Sequence, residues 1–311
     1  MVTDSAKSYP SYLHLLPSGE LSRRVGRAYA ALKSCRLCPR DCAVDRIHGK
    51  PGVCRTDKVA GVASANLHFG EEPPISGTRG SGTIFFTGCN LHCRFCQNYP
   101  ISRLRHGRPA PPQALARMML DLQKRGAHNI NLVTPSHVVP QFLAGLAIAA
   151  KEGLCIPIVY NCSGYDGMQA LKLLDGVVDI YMPDIKYATR DASARCSDAP
   201  DYWEHVRPAV KEMFRQVGPL EMDGEGIGRR GLLIRHLVLP GGFASSEKVF
   251  EFIAGELSTD VPVNLMSQYF PADQAVGDPI LGRKVVKAEF AEAEDALHRL
   301  GLTKGCIQHL E

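Results

Sequence analysis

One stretch of this chain constrains its fold more than any other: Gly88-Cys89-Asn90-Leu91-His92-Cys93-Arg94-Phe95-Cys96, which follows directly on the apolar run Thr83-Ile84-Phe85-Phe86-Thr87. The run reads as a β-strand, and the cysteines after it have C-x3-C-x2-C spacing. Three thiolates on one tight loop can hold three corners of a four-iron cube and leave the fourth iron without a protein ligand. A structural zinc loop is the alternative. Zinc would want a fourth Cys or His at ribbon or finger spacing, and His92, between two of the thiols, is badly placed to join them on one ion.

The rest of the chain offers a scaffold for such a loop. From Thr83 onward short β-rich runs alternate with helical periods, the pattern of βα units around a parallel sheet. Strands are expected at Thr83–Thr87, Ile130–Thr134, Ile158–Asn161, Val178–Met182, Ile234–Leu239 and Val261–Met266. Helices are expected at Pro111–Arg125, Val139–Lys151, Gly167–Leu174, Tyr202–Val217, Ser245–Leu257 and Lys287–Leu300. A doubly wound sheet would alternate in the same way. Nearly every strand, however, ends in a polar or Gly/Pro tract, such as Thr134-Pro135-Ser136-His137, Asn161-Cys162-Ser163-Gly164 and Pro183-Asp184-Ile185-Lys186. Polar groups gathered at the C-terminal ends of parallel strands are how a βα barrel builds one site. The expected fold is α/β, a partial (β/α)6 TIM-like barrel over residues 83–311.

Residues 1–82 read differently. A polar start leads to a helix at Leu21–Lys33 with one apolar stripe, and then to Cys35-x2-Cys38-x3-Cys42-x11-Cys54 among Pro, Gly and Arg. Four close thiols can complete tetrahedral zinc or an auxiliary [4Fe–4S] cluster, so this segment is expected to be a small metal-stapled module with a linker. An odd total of 11 cysteines in two clusters among 311 residues suits metal ligation in a reducing compartment better than a disulfide framework. The first 20 residues lack the order of a signal peptide and no apolar run is long enough for a membrane span, so a cytoplasmic location without a membrane partner is expected. A net charge of +4 does not announce nucleic-acid binding. The module is locally basic, with Lys33, Arg36, Arg40, Arg46, Lys50, Arg55 and Lys58, which leaves RNA as an alternative partner.

These features together resemble a known superfamily. C-x3-C-x2-C with an aromatic, Phe95, before the last cysteine, after the first strand of a sixfold βα domain, looks like the radical S-adenosylmethionine (SAM) enzymes. The four-cysteine segment, Thr87-Gly88-Cys89-Asn90, Met182-Pro183-Asp184-Ile185-Lys186 and Arg235-His236-Leu237-Val238-Leu239-Pro240-Gly241 are similar to the subgroup related to pyruvate formate-lyase-activating enzymes.

The resemblance implies a [4Fe–4S] cluster on Cys89, Cys93 and Cys96, with SAM on its open iron. It also implies reductive cleavage of SAM to a 5′-deoxyadenosyl radical that takes a hydrogen atom from a substrate, in that subgroup a glycyl residue of a partner enzyme. An electron donor of flavodoxin or ferredoxin type is implied as a second partner. Phe95 is expected at the adenine, and Asp184 and Lys186, with Asn161 and Met182, beside SAM. In place of the Gly-Gly-Glu that ends the second strand in many relatives stands Thr134-Pro135-Ser136-His137. The substrate alternatives are another peptide, RNA or a small molecule. A non-catalytic metal-stapled binding protein is the alternative of a different class.

Overall fold

The computed structural model describes residues 9–309. The polar start expected at the N-terminus lies largely outside them. In chain order the elements are α1 (Glu20–Ala31), β1 (Ala60–His68), α2 (Pro73–Ser76), β2 (Ser81–Phe86), α3 (Tyr99–Ser102), β3 (Arg108–Ala110), α4 (Pro112–Lys124), β4 (Ile130–Val133), α5 (Val139–Lys151), β5 (Ile158–Cys162), α6 (Met168–Leu174) and β6 (Ile180–Pro183). Then follow α7 (Arg190–Ser197), α8 (Tyr202–Val217), β7 (Glu221–Met222), β8 (Gly228–Leu232), β9 (Ile234–Leu237), α9 (Ser246–Phe252), β10 (Val263–Met266), α10 (Lys287–Arg299) and β11 (Cys306–Gln308).

All six expected strands form, and they pair in parallel as β2-β4-β5-β6 and β9-β10. A single bridge between Asp184 and Arg235 connects β6 to β9, so the two sheets continue round as one partial barrel. Alternation along β6 turns Ile180 and Met182 inward, where they pack with Ile75, Val159 and Leu233 in a small apolar cluster within the lumen. Ile75 comes from α2, which closes the N-terminal end of the barrel: Asn129 on the neighbouring turn donates to the Ile75 carbonyl at 2.8 Å. The outer layer is one large apolar core between the strands and α4, α5, α6, α8, α9 and α10.

Several elements join the six expected strands. β1 lies antiparallel on β2 from Val62–Phe86 to His68–Ser81, so the barrel sheet extends across the 82/83 division of the chain. The hairpin β7–β8 adds strands beyond β6, and α7 fills the connection after Lys186. The N-terminal helix packs through its apolar stripe, as expected: α1 lies on α5, with Leu21, Ala28 and Leu32 buried.

Candidate functional site

The cysteine loop runs from the end of β2 to α3 and is held by hydrogen bonds to distant segments. Gly88 has a φ of +83°, and a Cβ there would lie 2.7 Å from the Cys54 carbonyl oxygen, so the turn admits only glycine without strain. Arg40 donates from Nε to the Asn90 carbonyl at 2.7 Å, and Asn90 donates from Nδ2 to the Tyr165 carbonyl at 2.7 Å. The end of α7 accepts from His92 and Arg94, through the Ser197 and Cys196 carbonyls at 3.2 and 2.8 Å.

Each thiol of the loop has a hydrogen-bonding neighbour. Leu91 N–H points at Cys89 Sγ at 3.3 Å, Ser197 Oγ donates to Cys93 Sγ at 2.9 Å, and Cys96 Sγ and Ser102 Oγ are 3.2 Å apart. Such donors stabilise thiolate sulfurs. Ser197 is itself fixed by the Tyr187 hydroxyl at 2.7 Å. Neither Ser197 nor Ser102 was anticipated. The Thr189 N-cap of α7, which accepts from Ala192 N–H at 3.4 Å, was a legible sign of that helix, but its contact with Cys93 was not.

Two cavities flank the loop, and Cys89, Cys93 and Cys96 line both. The outer one, about 430 Å³, is bounded by Cys54, Arg55, Arg103, Arg195 and Asp198. The inner one, about 220 Å³, opens between the loop and the C-terminal strand ends, where Phe95, Thr134, Asn161, Asp184, Lys186, Arg235 and Gln268 converge. Active sites of βα barrels lie at that end, which makes the inner cavity the candidate site although it is the smaller.

At the floor of the inner cavity is a buried charge network. Lys186 Nζ and Arg235 Nε each donate to one Asp184 carboxylate oxygen, both at 2.7 Å. Arg235 also donates to Asn161 Oδ1 at 3.1 Å and to Glu71 Oε2 at 3.3 Å, and lies 3.7 Å from Glu72. Burial opposes ionisation of Asp184, but Arg235 and then Lys186 outweigh it and hold its carboxyl at about 2. Burial would lower Lys186, and Asp184 more than reverses that. Glu71 is pushed up by burial against the pull of Arg235. Each Asp184 oxygen thus accepts from one side-chain cation.

The structure sorts the expected residues. Asn161, Asp184, Lys186 and Phe95 line the inner cavity. Phe95 is 6% exposed and packs edge-on to Tyr269 at 5.5 Å. Met182 does not reach it: fully buried, it belongs to the lumen cluster below. Of the pair on β9, Arg235 enters the cavity while His236 turns outward, bonding the Ile185 carbonyl and Ser246. Thr134 lines the cavity with a φ of +59°, a costly conformation for a β-branched residue. His137 instead faces the N-terminal module, its Nε2 2.9 Å from the Thr87 carbonyl, and burial lowers it to about 4. The basic module spends much of its charge internally, Arg36 on Asp41, Arg40 on backbone carbonyls and Arg46 in the interior.

Comparison with known proteins bears on the family. An uncharacterized protein of Methanocaldococcus jannaschii, MJ0674, is 30% identical over 290 residues, covering 91% of this chain and 79% of that protein. The family model of the radical SAM superfamily matches residues 83–219, a span that contains the cysteine loop and the Asp184-x-Lys186 tract. Residues 83–219 form a radical SAM domain. Among solved structures, a radical SAM methyltransferase from Sphaerobacter thermophilus matches at 14% identity and a TM-score of 0.49, over 73% of this chain and 66% of that one. SuiB of Streptococcus suis, solved with its precursor peptide SuiA, matches at 10% identity and a TM-score of 0.49 over 72% of this chain. This chain spans about half of SuiB, 47% of its length.

The cofactors of this radical SAM protein are a [4Fe–4S] cluster and S-adenosylmethionine. The residues present fit both. Cys89, Cys93 and Cys96 stand on one loop and line one cavity, so each can take a separate iron of a cube. The three thiols border a cavity whose far wall offers a cation, a carboxamide and strand-end backbone, complementary to the carboxylate and amino groups of an amino acid.

Proposed function

We propose that this radical SAM enzyme holds its cluster on Cys89, Cys93 and Cys96 and seats SAM in the inner cavity against Asp184, Lys186, Asn161 and Phe95. When bound, the two cofactors supply reductive cleavage of SAM and a 5′-deoxyadenosyl radical able to take a hydrogen atom from a substrate. The observation that carries this reading is that one cavity is walled on one side by the three thiols and on the other by the Lys186–Asp184–Arg235 network.

The chain's own residues divide the work. Arg235 and Lys186 neutralise Asp184, and Lys186 is left as the cation beside the cavity for the SAM carboxylate. Asn161 and the backbone at Thr134 present acceptors for the amino group, in place of the acidic residue found in many relatives. Phe95, held by Tyr269 and Tyr187, gives a fixed apolar surface to the adenine. The deep apolar floor and α2 close the other end of the barrel to water.

The finer assignment, abstraction from a glycyl residue of a partner enzyme with a flavodoxin- or ferredoxin-type donor, rests on the resemblance of the strand-end motifs to the activating enzymes. The eleven cysteines are all free, which suits the reducing cytoplasm we assign to the chain. Among the described residues no helix is long and apolar enough to cross a membrane.

The test is anaerobic reconstitution with iron and sulfide, addition of dithionite and SAM, and measurement of 5′-deoxyadenosine. Product from wild-type protein and none from Cys96→Ala is expected. An intact cluster that releases none would overturn the reading. A glycyl-radical signal in a co-incubated partner enzyme would test the finer assignment, and its absence beside normal SAM cleavage would redirect the search to another substrate.

A further inference from the structure

Arg46 is 1% exposed and makes no ion pair with a carboxylate among the described residues. Its Nη2 donates to the Asp57 and His137 carbonyls at 3.1 and 2.9 Å, its Nη1 points at Cys35 Sγ at 3.4 Å, and its Nε has no acceptor. A guanidinium stays charged inside a protein, and a buried cation needs a compensating anion. No carboxylate lines the enclosed space beside it; what lines that space is Cys35, Cys38, Cys42 and Cys54, with Arg40 and His137. All four thiols are free, Cys35 and Cys54 buried and Cys38 and Cys42 half-buried. Bound to metal as thiolates, they would supply the negative charge that Arg46 lacks.

We propose that Cys35, Cys38, Cys42 and Cys54 hold a second iron–sulfur cluster, against whose net negative charge Arg46 is buried. The backbone is bent to deliver these thiols: Asp41, Ala43 and Arg55, flanking Cys42 and Cys54, have φ of +44°, +52° and +52°. A Cβ on Gly52 would stand 2.8 Å from Cys42 Sγ, and Val53 N–H points at the same sulfur at 3.4 Å. Position favours a cluster over zinc, because Cys54 also lines the outer cavity shared with Cys89, Cys93 and Cys96, where a second cluster would have an electron-transfer neighbour.

The second site lies directly beside the first. Cys54 forms part of the outer cavity wall with Cys89, Cys93 and Cys96, and its carbonyl packs on Gly88. Arg46 grips the His137 carbonyl while His137 bonds Thr87, the residue before that turn.

The test is a count of iron, acid-labile sulfide and zinc in full-length protein reconstituted anaerobically with ferrous iron and sulfide. About eight irons per chain are expected in wild type, and about four in both Cys89→Ser/Cys93→Ser/Cys96→Ser and Cys38→Ser/Cys42→Ser variants. The triple variant tests this site independently of SAM chemistry. About four irons in wild type and none in the triple variant overturns the proposal, and so does one zinc with about four irons. If the Cys38/Cys42 variant does not fold, the other two counts decide.

Discussion

Arg235 on β9 donates from Nε to Asp184 Oδ1, beyond the end of β6, at 2.7 Å, where a β-bridge joins the two sheets of the barrel. The pair does two jobs through one contact. It closes the barrel wall between β6 and β9, and it fixes the carboxylate that in turn holds Lys186 at the cavity. Glu71 and Glu72, from the turn before α2, complete the charge balance around Arg235 from the opposite end of the lumen.

Removing Arg235 should therefore cost both stability and function. Arg235→Met leaves Asp184, Glu71 and Glu72 buried with less compensation, and breaking a buried pair from one side costs about 3–5 kcal/mol. Denaturant unfolding should show a loss of that order, and SAM affinity should fall because Lys186 is drawn fully onto Asp184. Asp184→Asn, which keeps the shape, should cost less.

The hydrogen bond from Ser197 to Cys93 should tune the cluster. Ser197→Ala removes one O–H donor from a ligand sulfur, which destabilises the reduced, more negative state. A loss of about 1 kcal/mol corresponds to a midpoint potential lower by about 40 mV. Spectroelectrochemical titration checks this; an unchanged potential would show that the contact is only steric.

Gly88→Ala should disable the loop without touching a ligand. It combines a positive φ with a collision on the Cys54 carbonyl, a strain of about 1–3 kcal/mol. Iron content of the reconstituted variant should drop well below wild type, while Gly126→Ala, also at positive φ but in open space, should bind iron normally.

His236 should make stability depend on pH. Burial lowers it to about 4, with Asp184 pulling it up and Lys186 down, so it is neutral in the fold. Its contribution is fully present above the unfolded value of about 6.5 and is lost as pH falls from there toward 4. Asp179, raised to about 6 mainly by burial, acts in the opposite sense over the same range and partly hides the effect in wild type. The comparison that isolates it is wild type against His236→Gln. The destabilisation caused by the substitution should be about 2 kcal/mol smaller at pH 5 than at pH 7.5 in denaturant unfolding.

Much of this was legible in the sequence because the decisive features are local. The six core strands are short apolar runs bounded by polar tracts, and alternation alone says that only one of Arg235 and His236 can enter the barrel. Met182 shows the limit of that rule. Alternation turns it inward correctly, but the residue lies one layer too deep to reach the cavity. β1 has no clear sequence signal because Ala60–His68, rich in Ala, Gly, Ser and Asn, loses its alternation after Ala63 and is held as a strand by β2 and β3 on either side. The partners of the cysteine loop, Arg40, Ser197 and Tyr165, are brought to it by tertiary contacts that no local pattern records.

In the proposed function the Cys89–Cys93–Cys96 loop and the Lys186–Asp184 wall enclose one SAM site. Electron paramagnetic resonance of the dithionite-reduced, reconstituted protein with and without SAM tests it most directly. A reduced-cluster signal that changes on adding SAM is predicted, with the change lost in Cys89→Ser/Cys93→Ser/Cys96→Ser and needing at least tenfold more SAM in Lys186→Met, about 1.4 kcal/mol for one charge-assisted contact. Signals that SAM leaves unchanged in wild-type protein with its iron intact would contradict the account.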